Sequence, residues 1–334
     1  MNPRPAVADP WSVEADGSLG TALSGCLQAA IAAPSIHNSQ PWRFAVGPGA
    51  VDLYADQGRQ VRVVDPRGRE LLISLGAALL NLRVAILRYG RVPMTRLLPD
   101  RDRPDLVATV RVGPHIDPDP TVRALAHAIP TRRTSRRPFT RVSVPAEVLA
   151  ELAAAAEVEG GTLRVADDLA RDQLLGLARS AERLLRTDPR YREELTAWTT
   201  SDPTRTDGVT RTAFGPWDAL ETLPLRDFGL TRPTEPRRAA HFEARPTLVV
   251  LSTAGDSPDQ WLRAGQALER VLLTATVRGL SATPLSQPLE LPQLRDLLTD
   301  PTDGTCPQVI LRLGYGPLSA ASPRRPLSEV LVWG

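Results

Sequence analysis

A run of small and amide-bearing residues occupies positions 33–44, between the predicted end of a helix and the predicted start of a strand. Ser35, Asn38 and Gln40 lie within this run, and an amide side chain both donates and accepts hydrogen bonds. Such residues suit contact with a pyrimidine-like edge or with a polyhydroxylated chain. The alternative is an ordinary helix-to-strand turn, with the aromatic residue Trp42 in the core. Polarity alone favours that ordinary turn.

A second run combines guanidinium groups with a hydroxyl at the predicted start of a helix, in Arg132, Arg133, Thr134 and Arg136. Guanidinium groups bind phosphate oxygens in a bidentate manner, and free N–H groups at a helix N-terminus add to an anion site. The run therefore predicts an anion site. The alternative is a solvated basic surface, because all 40 basic residues of this chain are arginine and charge clusters are then common.

The first run resembles the nitroreductase superfamily. The family pattern is Ala-Pro-Ser, two variable residues, Asn, a small residue and Gln-Pro-Trp before an aromatic-ended strand, and the run matches this pattern. The resemblance implies that Asn38 contacts a flavin and that Ser35 and Gln40 hold neighbouring positions. The family also has an Arg-Arg-Ser-X-Arg motif that grips the phosphate of FMN. Residues 132–136 match that motif, with Thr134 keeping the hydroxyl.

Two further segments gain a role from the same resemblance. In the family, the strand after the long helix passes the flavin edge, where a backbone N–H faces the redox-active ring nitrogen. Ser286 and Gln287 fall at that place, and Pro284 and Leu285, just before them, are further candidates for cofactor contact. A basic residue of the family's C-terminal tail returns to the phosphate, and Arg324 is the first choice for that position, followed by Arg325.

Two long apolar helices are predicted to position these residues, at 70–90 and 260–279. Gly76, Ala78, Leu79 and Gly90 align without gaps with Gly265, Ala267, Leu268 and Gly279, with the same sequence offset in each pair. This constant offset predicts a degenerate internal duplication. The subgroup that the chain most resembles is the Acg-type two-domain flavoproteins, which have two nitroreductase-like halves. We therefore expect an α+β, nitroreductase-like fold whose halves form an intramolecular pseudo-dimer.

The predicted organisation is a loose leader at 1–17, a degenerate N-terminal half at 18–128 and a C-terminal half at 129–334. Residues 200–245, the lid-like segment, are rich in proline, arginine, aspartate and threonine. A long stretch of this kind is typical of a lid or binding loop, and a mobile surface loop is the alternative. The first motif occurs only in the first half and the arginine motif only in the second. We expect one composite FMN site between the halves.

Composition narrows the possible partners. A formal net charge of +2 gives no reason to expect a nucleic acid or an anionic membrane. The two cysteines lie far apart and the four histidines are scattered, so we expect neither a disulfide framework nor a metal site. The most apolar stretch, residues 71–87, indicates a buried helix rather than a membrane span. The sequence predicts a cytoplasmic protein with a small-molecule acceptor, either a monomeric pseudo-dimer or a homodimer.

The leading functional interpretation is an FMN-dependent oxidoreductase of the nitroreductase type. Hydride would pass from NAD(P)H through the flavin to a small electron-poor or unsaturated acceptor, and no catalytic side chain beyond the flavin is required. One alternative follows from the Acg-type resemblance: an FMN-sequestering protein with little catalysis, in which Phe214, Trp217 or Phe228 stacks on the ring. Another is a flavin-dependent tailoring dehydrogenase in a biosynthetic pathway.

Overall fold

The computed structural model describes residues 11–12, 19–231, 237–299 and 304–332. Most of the predicted leader at 1–17 lies outside these residues. The helices are α1 (Thr21–Ile31), α2 (Arg69–Arg88), α3 (Pro120–Ala128), α4 (Ala146–Glu157), α5 (Asp168–Thr187), α6 (Pro189–Ala197), α7 (Pro258–Val277), α8 (Gln287–Glu290), α9 (Pro292–Asp296) and α10 (Leu327–Val330). The strands are β1 (Trp42–Gly47), β2 (Ala50–Ala55), β3 (Arg91–Leu97), β4 (Leu106–His115), β5 (Gly161–Val165), β6 (Thr199–Thr200), β7 (Val209–Thr210), β8 (Trp217–Asp218), β9 (Ala239–Ala240), β10 (Thr247–Thr253), β11 (Ser281–Pro284), β12 (Cys306–Gly314) and β13 (Leu331–Val332).

The first sheet has the strand order β13-β1-β2-β4-β3. β1 and β2 form a hairpin that places Phe44 opposite Leu53, and Gly49 adopts a left-handed conformation (φ 68°) at the turn. β3 is an edge strand, the position at which a sheet tolerates a proline such as Pro93. β13 comes from the end of the chain and pairs in parallel with β1. Leu331 and Val332, which fall in the predicted C-terminal half (129–334), therefore belong to the first sheet.

The second sheet has the strand order β11-β12-β10-β5, and all of its pairings are antiparallel. Helices cover both of its faces. On one face, Leu251 of β10 packs in a cluster with Leu152 of α4 and Val271 of α7. On the other face, Ile310 of β12 packs in a cluster with Leu174 of α5. Because both faces are covered, the two central strands β10 and β12 are buried along most of their length.

The two long helices α2 and α7 pack directly against each other. A Cβ atom on Gly76 would overlap the carbonyl oxygen of Leu262, and a Cβ atom on Gly265 would overlap that of Ile73. Ile73 and Leu262 are related by the same sequence offset as the two glycines. The contact is therefore reciprocal, as it is across a two-fold axis, and the two related halves form an intramolecular pseudo-dimer.

α2 is long and apolar enough to span a bilayer by composition alone, but 78% of its apolar window is buried inside the protein. Leu75, Leu79 and Leu82 are fully buried in one cluster with Phe44 of the first sheet and Leu262 of α7. The prediction of a buried helix at this position is confirmed. α2 is thus the element that joins the core of the first sheet to the helix of the second half.

The lid-like segment (residues 200–245) is described except for 232–236. It contains the short strands β7, β8 and β9. Its side chains Phe214 and Phe228 are 4% and 2% exposed and share an apolar cluster with Leu185 of α5. The described part of the segment is therefore anchored by apolar packing against the rest of the chain.

Candidate functional site

The first motif forms a strained turn after α1. His37, Asn38 and Gln40 have φ angles of 48°, 54° and 50°, a left-handed region that residues other than glycine rarely adopt. Ser35 Oγ accepts the backbone N–H of Gln40 at 2.9 Å, and Ser74 Oγ of α2 accepts another backbone N–H of the turn at 3.2 Å. Strain of this kind persists where surrounding contacts hold it, and it clusters at ligand sites.

Asn38 joins this turn to two distant segments. Its Nδ2 donates to the carbonyl oxygens of Gly208 at 3.1 Å and Pro323 at 3.2 Å. Its Oδ1 accepts a hydrogen bond from Arg324 at 3.0 Å. In this conformation the side-chain amide, for which the family resemblance implies a flavin contact, ties the turn to the lid-like segment and to the C-terminal tail.

Gln40 and Arg325 bind each other and form no part of the cavity walls described below. Gln40 Oε1 accepts the backbone N–H of Arg325 at 2.8 Å, and Gln40 Nε2 donates to the carbonyl oxygen of Thr206 at 2.8 Å. The Arg325 guanidinium donates to the carbonyl oxygen of Glu329 at 2.8 Å. Gln40 and Arg325 were both candidates for cofactor contact, but their polar atoms form hydrogen bonds within the protein instead.

Three arginines, Arg132, Arg133 and Arg324, line one cavity, and Arg132 pairs with the buried carboxylate of Glu269 on α7. Nε of Arg132 is 3.4 Å from Oε1 of Glu269, and Arg324 donates to the carbonyl oxygens of residues 32–33 at 3.1 Å. Burial, followed by the charges of Arg132 and Arg133, lowers the pKa of Arg324 to about 9. The buried Nε of Arg324 has no hydrogen-bond partner among the described residues, whereas Nε of Arg132 is the atom that pairs with Glu269. The cluster therefore has an excess of positive charge and an unused donor on Arg324.

Backbone pairing places the arginine motif beside β11. Thr134 forms a parallel bridge with Ala282, and the N–H of Ser135 donates to the carbonyl oxygen of Ala282 at 3.0 Å. The Arg136 guanidinium lies 4.6 Å from the ring centroid of Phe228. Burial, together with a neighbouring arginine, lowers the pKa of Arg136 to about 10.

Three of the four positions predicted after the second long helix line a cavity: Pro284, Ser286 and Gln287. Leu285 does not. Its side chain is 1% exposed in the apolar core, and its backbone N–H donates to the carbonyl oxygen of Ile310 at 2.9 Å. Because the sheet already uses that N–H, Leu285 cannot supply the backbone contact that the family resemblance implies for this segment.

Two adjoining cavities connect these groups. The cationic cavity, of about 160 Å³, is lined by Arg132, Arg133 and Arg324. The apolar cavity, of about 120 Å³, is lined by apolar side chains and by the end of β11. The two cavities share a common wall that consists of Pro34, Ser35, His37, Thr134 and Arg136. Motifs from both halves of the chain therefore face the same space, as the expected composite site requires.

The apolar cavity also contains ionisable residues that the motifs do not indicate. Burial raises the pKa of Glu70, which pairs with Arg69 at the start of α2, to about 7. Arg226 is held by the hydroxyl of Tyr191 at 2.8 Å and by the carboxylate of Glu290. The sequence gives little indication of either residue. Glu70 lies next to Arg69 on an apolar helix, and Arg226 is one of many arginines in the lid-like segment.

The lid-like segment (200–245) covers both cavities. Val209 lines the cationic cavity, and Phe228 lines the apolar one. Phe214 stacks on Phe228, with 6.4 Å between ring centroids and an interplanar angle of 25°. Trp217 is 40% exposed and lines a separate cavity beside α5. Of the three aromatic residues expected to stack on a ring, Phe228 is therefore the one that reaches this site.

Comparison with known proteins gives the family. A model of the Nitroreductase family matches residues 129–315, more than half of the chain. A protein of Mycobacterium tuberculosis (strain H37Rv) named "Putative NAD(P)H nitroreductase Rv3131" is 38% identical over 317 residues, which cover 92% of this chain and 90% of that protein. The protein of the same strain named "Putative NAD(P)H nitroreductase acg" is 32% identical, over 92% of this chain and 94% of its own length.

Solved structures superpose on this chain with low TM-scores and low sequence identity. The FMN-dependent nitroreductase NfnB from Mycobacterium smegmatis, in complex with NADPH, aligns with a TM-score of 0.37 and 18% identity. That alignment covers 62% of this chain and 96% of the NfnB chain. Since the family model spans more than half of the chain and the two mycobacterial relatives align along 92% of it, the chain belongs to the nitroreductase family.

Proposed function

We propose that this protein is an FMN-dependent oxidoreductase that transfers hydride from NAD(P)H to a small electron-poor or unsaturated acceptor. The observation that carries this proposal is the pair of adjoining cavities, cationic at one end and apolar at the other. NAD(P)H as the reductant follows the names of the relatives. Bound FMN would supply the hydride chemistry, while the protein supplies orientation, electrostatics and access.

The residues present fit FMN, which carries a phosphate at one end of a ribityl chain and a planar ring at the other. Arg132, Arg133 and Arg324 would hold the phosphate, because their three positive charges exceed the one negative charge of Glu269, and the buried Nε of Arg324 lacks a hydrogen-bond partner among the described residues. Further contacts would come from the common wall and from the end of β11, through Ser35, Thr134, Arg136, Pro284, Ser286 and Gln287.

The lid-like segment (200–245) would limit access of water to the ring. It contributes the buried Phe228 to the apolar cavity and Val209 to the cationic one. Exclusion of water strengthens the electrostatic interactions inside a site. In this proposal the segment also restricts which acceptors reach the flavin.

We further propose that the protein is a monomer. The contact between α2 and α7 joins the two halves within one chain, with Gly76 facing Gly265. A monomeric mass in size-exclusion chromatography with light scattering is the expected result. A stable dimer would show that a second interface exists.

A visible absorption spectrum of the purified protein tests the proposed cofactor. We expect a flavin spectrum, which bleaches when NADH or NADPH is added under anaerobic conditions. Acceptor turnover is then measured with nitroaromatic and quinone compounds. A protein that binds no flavin after incubation with FMN would contradict the proposal.

The phosphate role is tested with Arg133→Ala, since Arg133 is only partly buried and donates to the neighbouring carbonyl of Arg132 at 2.6 Å. Loss of a charge-assisted hydrogen bond should weaken FMN binding about tenfold to a hundredfold. Riboflavin, which lacks the phosphate, should bind both forms equally. The exposed Arg123→Ala on α3 serves as the control. Equal losses for FMN and riboflavin would show that Arg133 does not contact the phosphate.

A second candidate function is FMN sequestration with little turnover. The observation that favours it is the tight packing of the segment over the apolar cavity. Phe228 is 2% exposed, and Arg226 is bound by Tyr191 and Glu290. A lid-like segment held in place by these buried contacts would keep NAD(P)H and acceptors away from the flavin ring.

Removing the Phe228 ring from the lid-like segment distinguishes these two functions. Under sequestration, Phe228→Ala should raise acceptor turnover at least several-fold, because it removes the aromatic ring that closes the apolar cavity. Under the oxidoreductase proposal, the same change should leave turnover unchanged or reduce it. Trp217→Ala alters an exposed aromatic residue of the same segment and serves as the control. Flavin content is measured for each variant so that turnover is expressed per bound FMN.

A further inference from the structure

His37 lies in the common wall and therefore lines both cavities. The residue is 7% exposed, and neither Nδ1 nor Nε2 has a hydrogen-bond partner among the described residues. Buried polar groups in folded proteins nearly always have a partner, so an unpartnered one requires an explanation. The left-handed backbone of His37 adds strain at the same residue.

The charge state of His37 limits what its partner can be. Burial, followed by the positive charges of Arg226 and Arg136, lowers the pKa of His37 well below its ordinary value of 6.5. The imidazole is therefore neutral at neutral pH, with one N–H donor and one acceptor nitrogen. It has no charge with which to bind a phosphate, so a neutral group that both accepts and donates is the better match.

Packing, rather than a hydrogen bond within the described part of the protein, holds the imidazole in place. The ring of His37 meets Phe228 edge to face, with 5.4 Å between centroids and an interplanar angle of 85°. Arg136 lies over the same phenyl ring at 4.6 Å. These contacts involve ring surfaces, so the hydrogen-bonding capacity of both buried imidazole nitrogens is unused by the described residues.

We propose that His37 is a positioning residue that hydrogen-bonds to the polyhydroxylated chain of the bound ligand. The inference rests on the proposed FMN site. With a phosphate in the cationic cavity and a ring in the apolar one, the ribityl chain passes the common wall in which His37 lies. A hydroxyl group both donates and accepts, so it satisfies the neutral imidazole in either tautomer.

A matched pair of variants tests the hydrogen bonds of the two imidazole nitrogens of His37. His37→Leu removes both polar atoms, and His37→Gln keeps a donor and an acceptor. Leucine and glutamine are both disfavoured in the left-handed backbone region, so the pair shares any cost of strain. His127→Leu, at an exposed position on α3, is the control. Thermal unfolding of each apoprotein shows that the variants are folded.

The three probes are FMN, riboflavin, and lumiflavin, which lacks both the ribityl chain and the phosphate. Quenching of flavin fluorescence gives the dissociation constants. We expect His37→Leu to weaken the binding of FMN and of riboflavin by the same factor, about tenfold. The binding of lumiflavin should not change. His37→Gln should recover most of the lost affinity. Retention of flavin by the protein is thus measured independently of turnover.

Three results would overturn the inference. Equal FMN affinity for the unaltered protein and His37→Leu would show that the imidazole makes no useful hydrogen bond. An equal loss for lumiflavin would indicate a packing role against the ring. Absence of FMN binding by the unaltered protein would overturn the proposed function and the inference together, and is distinguished from the first two because it appears before any substitution is made.

Discussion

A single buried carboxylate opposes the positive charge of the cationic cavity. Glu269 is fully buried on α7, and its Oε1 is 3.4 Å from Nε of Arg132. Burial raises the pKa of Glu269 to about 7, even though the charge of Arg132 acts in the opposite direction. Near neutral pH this carboxylate is therefore partly ionised, and it would compete with a ligand phosphate for the same guanidinium.

Removing that negative charge should strengthen phosphate binding. We expect Glu269→Gln to tighten FMN binding about threefold to tenfold at pH 8, because repulsion between two screened like charges is worth about 1 kcal/mol. Riboflavin affinity should not change. Glu147→Gln, at an exposed position on α4, is the control. Weaker FMN binding by Glu269→Gln would mean that Glu269 mainly positions Arg132.

Among the elements, the crossing of α2 and α7 has the least room for change. A side chain at Gly76 or Gly265 would overlap backbone atoms of the opposite helix, and backbone cannot move aside as the end of a flexible side chain can. This explains why glycine occupies both positions although it lowers helix propensity. It also explains why the two glycines lie at the same register in the two halves.

Gly76→Ala should therefore destabilise the protein by about 3 kcal/mol, as overpacking of a tight contact does. Gly176→Ala is the matched control, since it also lies in a long helix but its added Cβ would meet no atom within 4 Å. The control should stabilise the protein by up to about 1 kcal/mol through helix propensity. Urea unfolding of both variants measures the difference. Equal effects would show that the helices adjust without cost.

In the whole molecule, buried carboxylates make stability depend on pH. Glu70 and Glu269 both have a pKa of about 7 in the folded protein, mainly because of burial, against an ordinary value of 4.5. A carboxyl group with a raised pKa in the folded state favours folding fully below about pH 4.5. That contribution is lost as the pH rises to about 7.

These two carboxyl groups should consequently reduce the stability of the apoprotein between about pH 5 and pH 7.5, where each unit of pKa shift corresponds to about 1.4 kcal/mol. The lowered pKa of His37 acts in the opposite direction below about pH 6.5, so the effect of the carboxyl groups is measured as a difference from a variant that lacks them. The double variant Glu70→Gln/Glu269→Gln should show a flatter profile and a higher unfolding free energy at pH 8. Urea unfolding at half-unit pH steps provides the measurement. A stability difference between the double variant and the unaltered apoprotein that does not grow over this window would contradict the pKa directions assigned to Glu70 and Glu269.

Much of the architecture could be predicted from local spacing. The spacing of apolar residues predicts α2 and α7, and the constant offset between these two helices predicts the internal duplication. These features depend on neighbours along the chain or on a repeat within it. The motif residues at 35–38 and 132–136 were likewise expected to face one site, and the structure brings them to adjoining cavities.

Contacts between distant segments decide the rest. The amides of Asn38 and Gln40 bind chain segments that lie far away in the sequence, and the N–H of Leu285 belongs to the sheet. Nothing in the local pattern shows that β13 joins the first sheet or that Arg226 enters the apolar cavity. Spacing along the chain predicts which residue types occur together, but the direction of a side chain and the partner of its polar atoms depend on what the tertiary structure packs beside it.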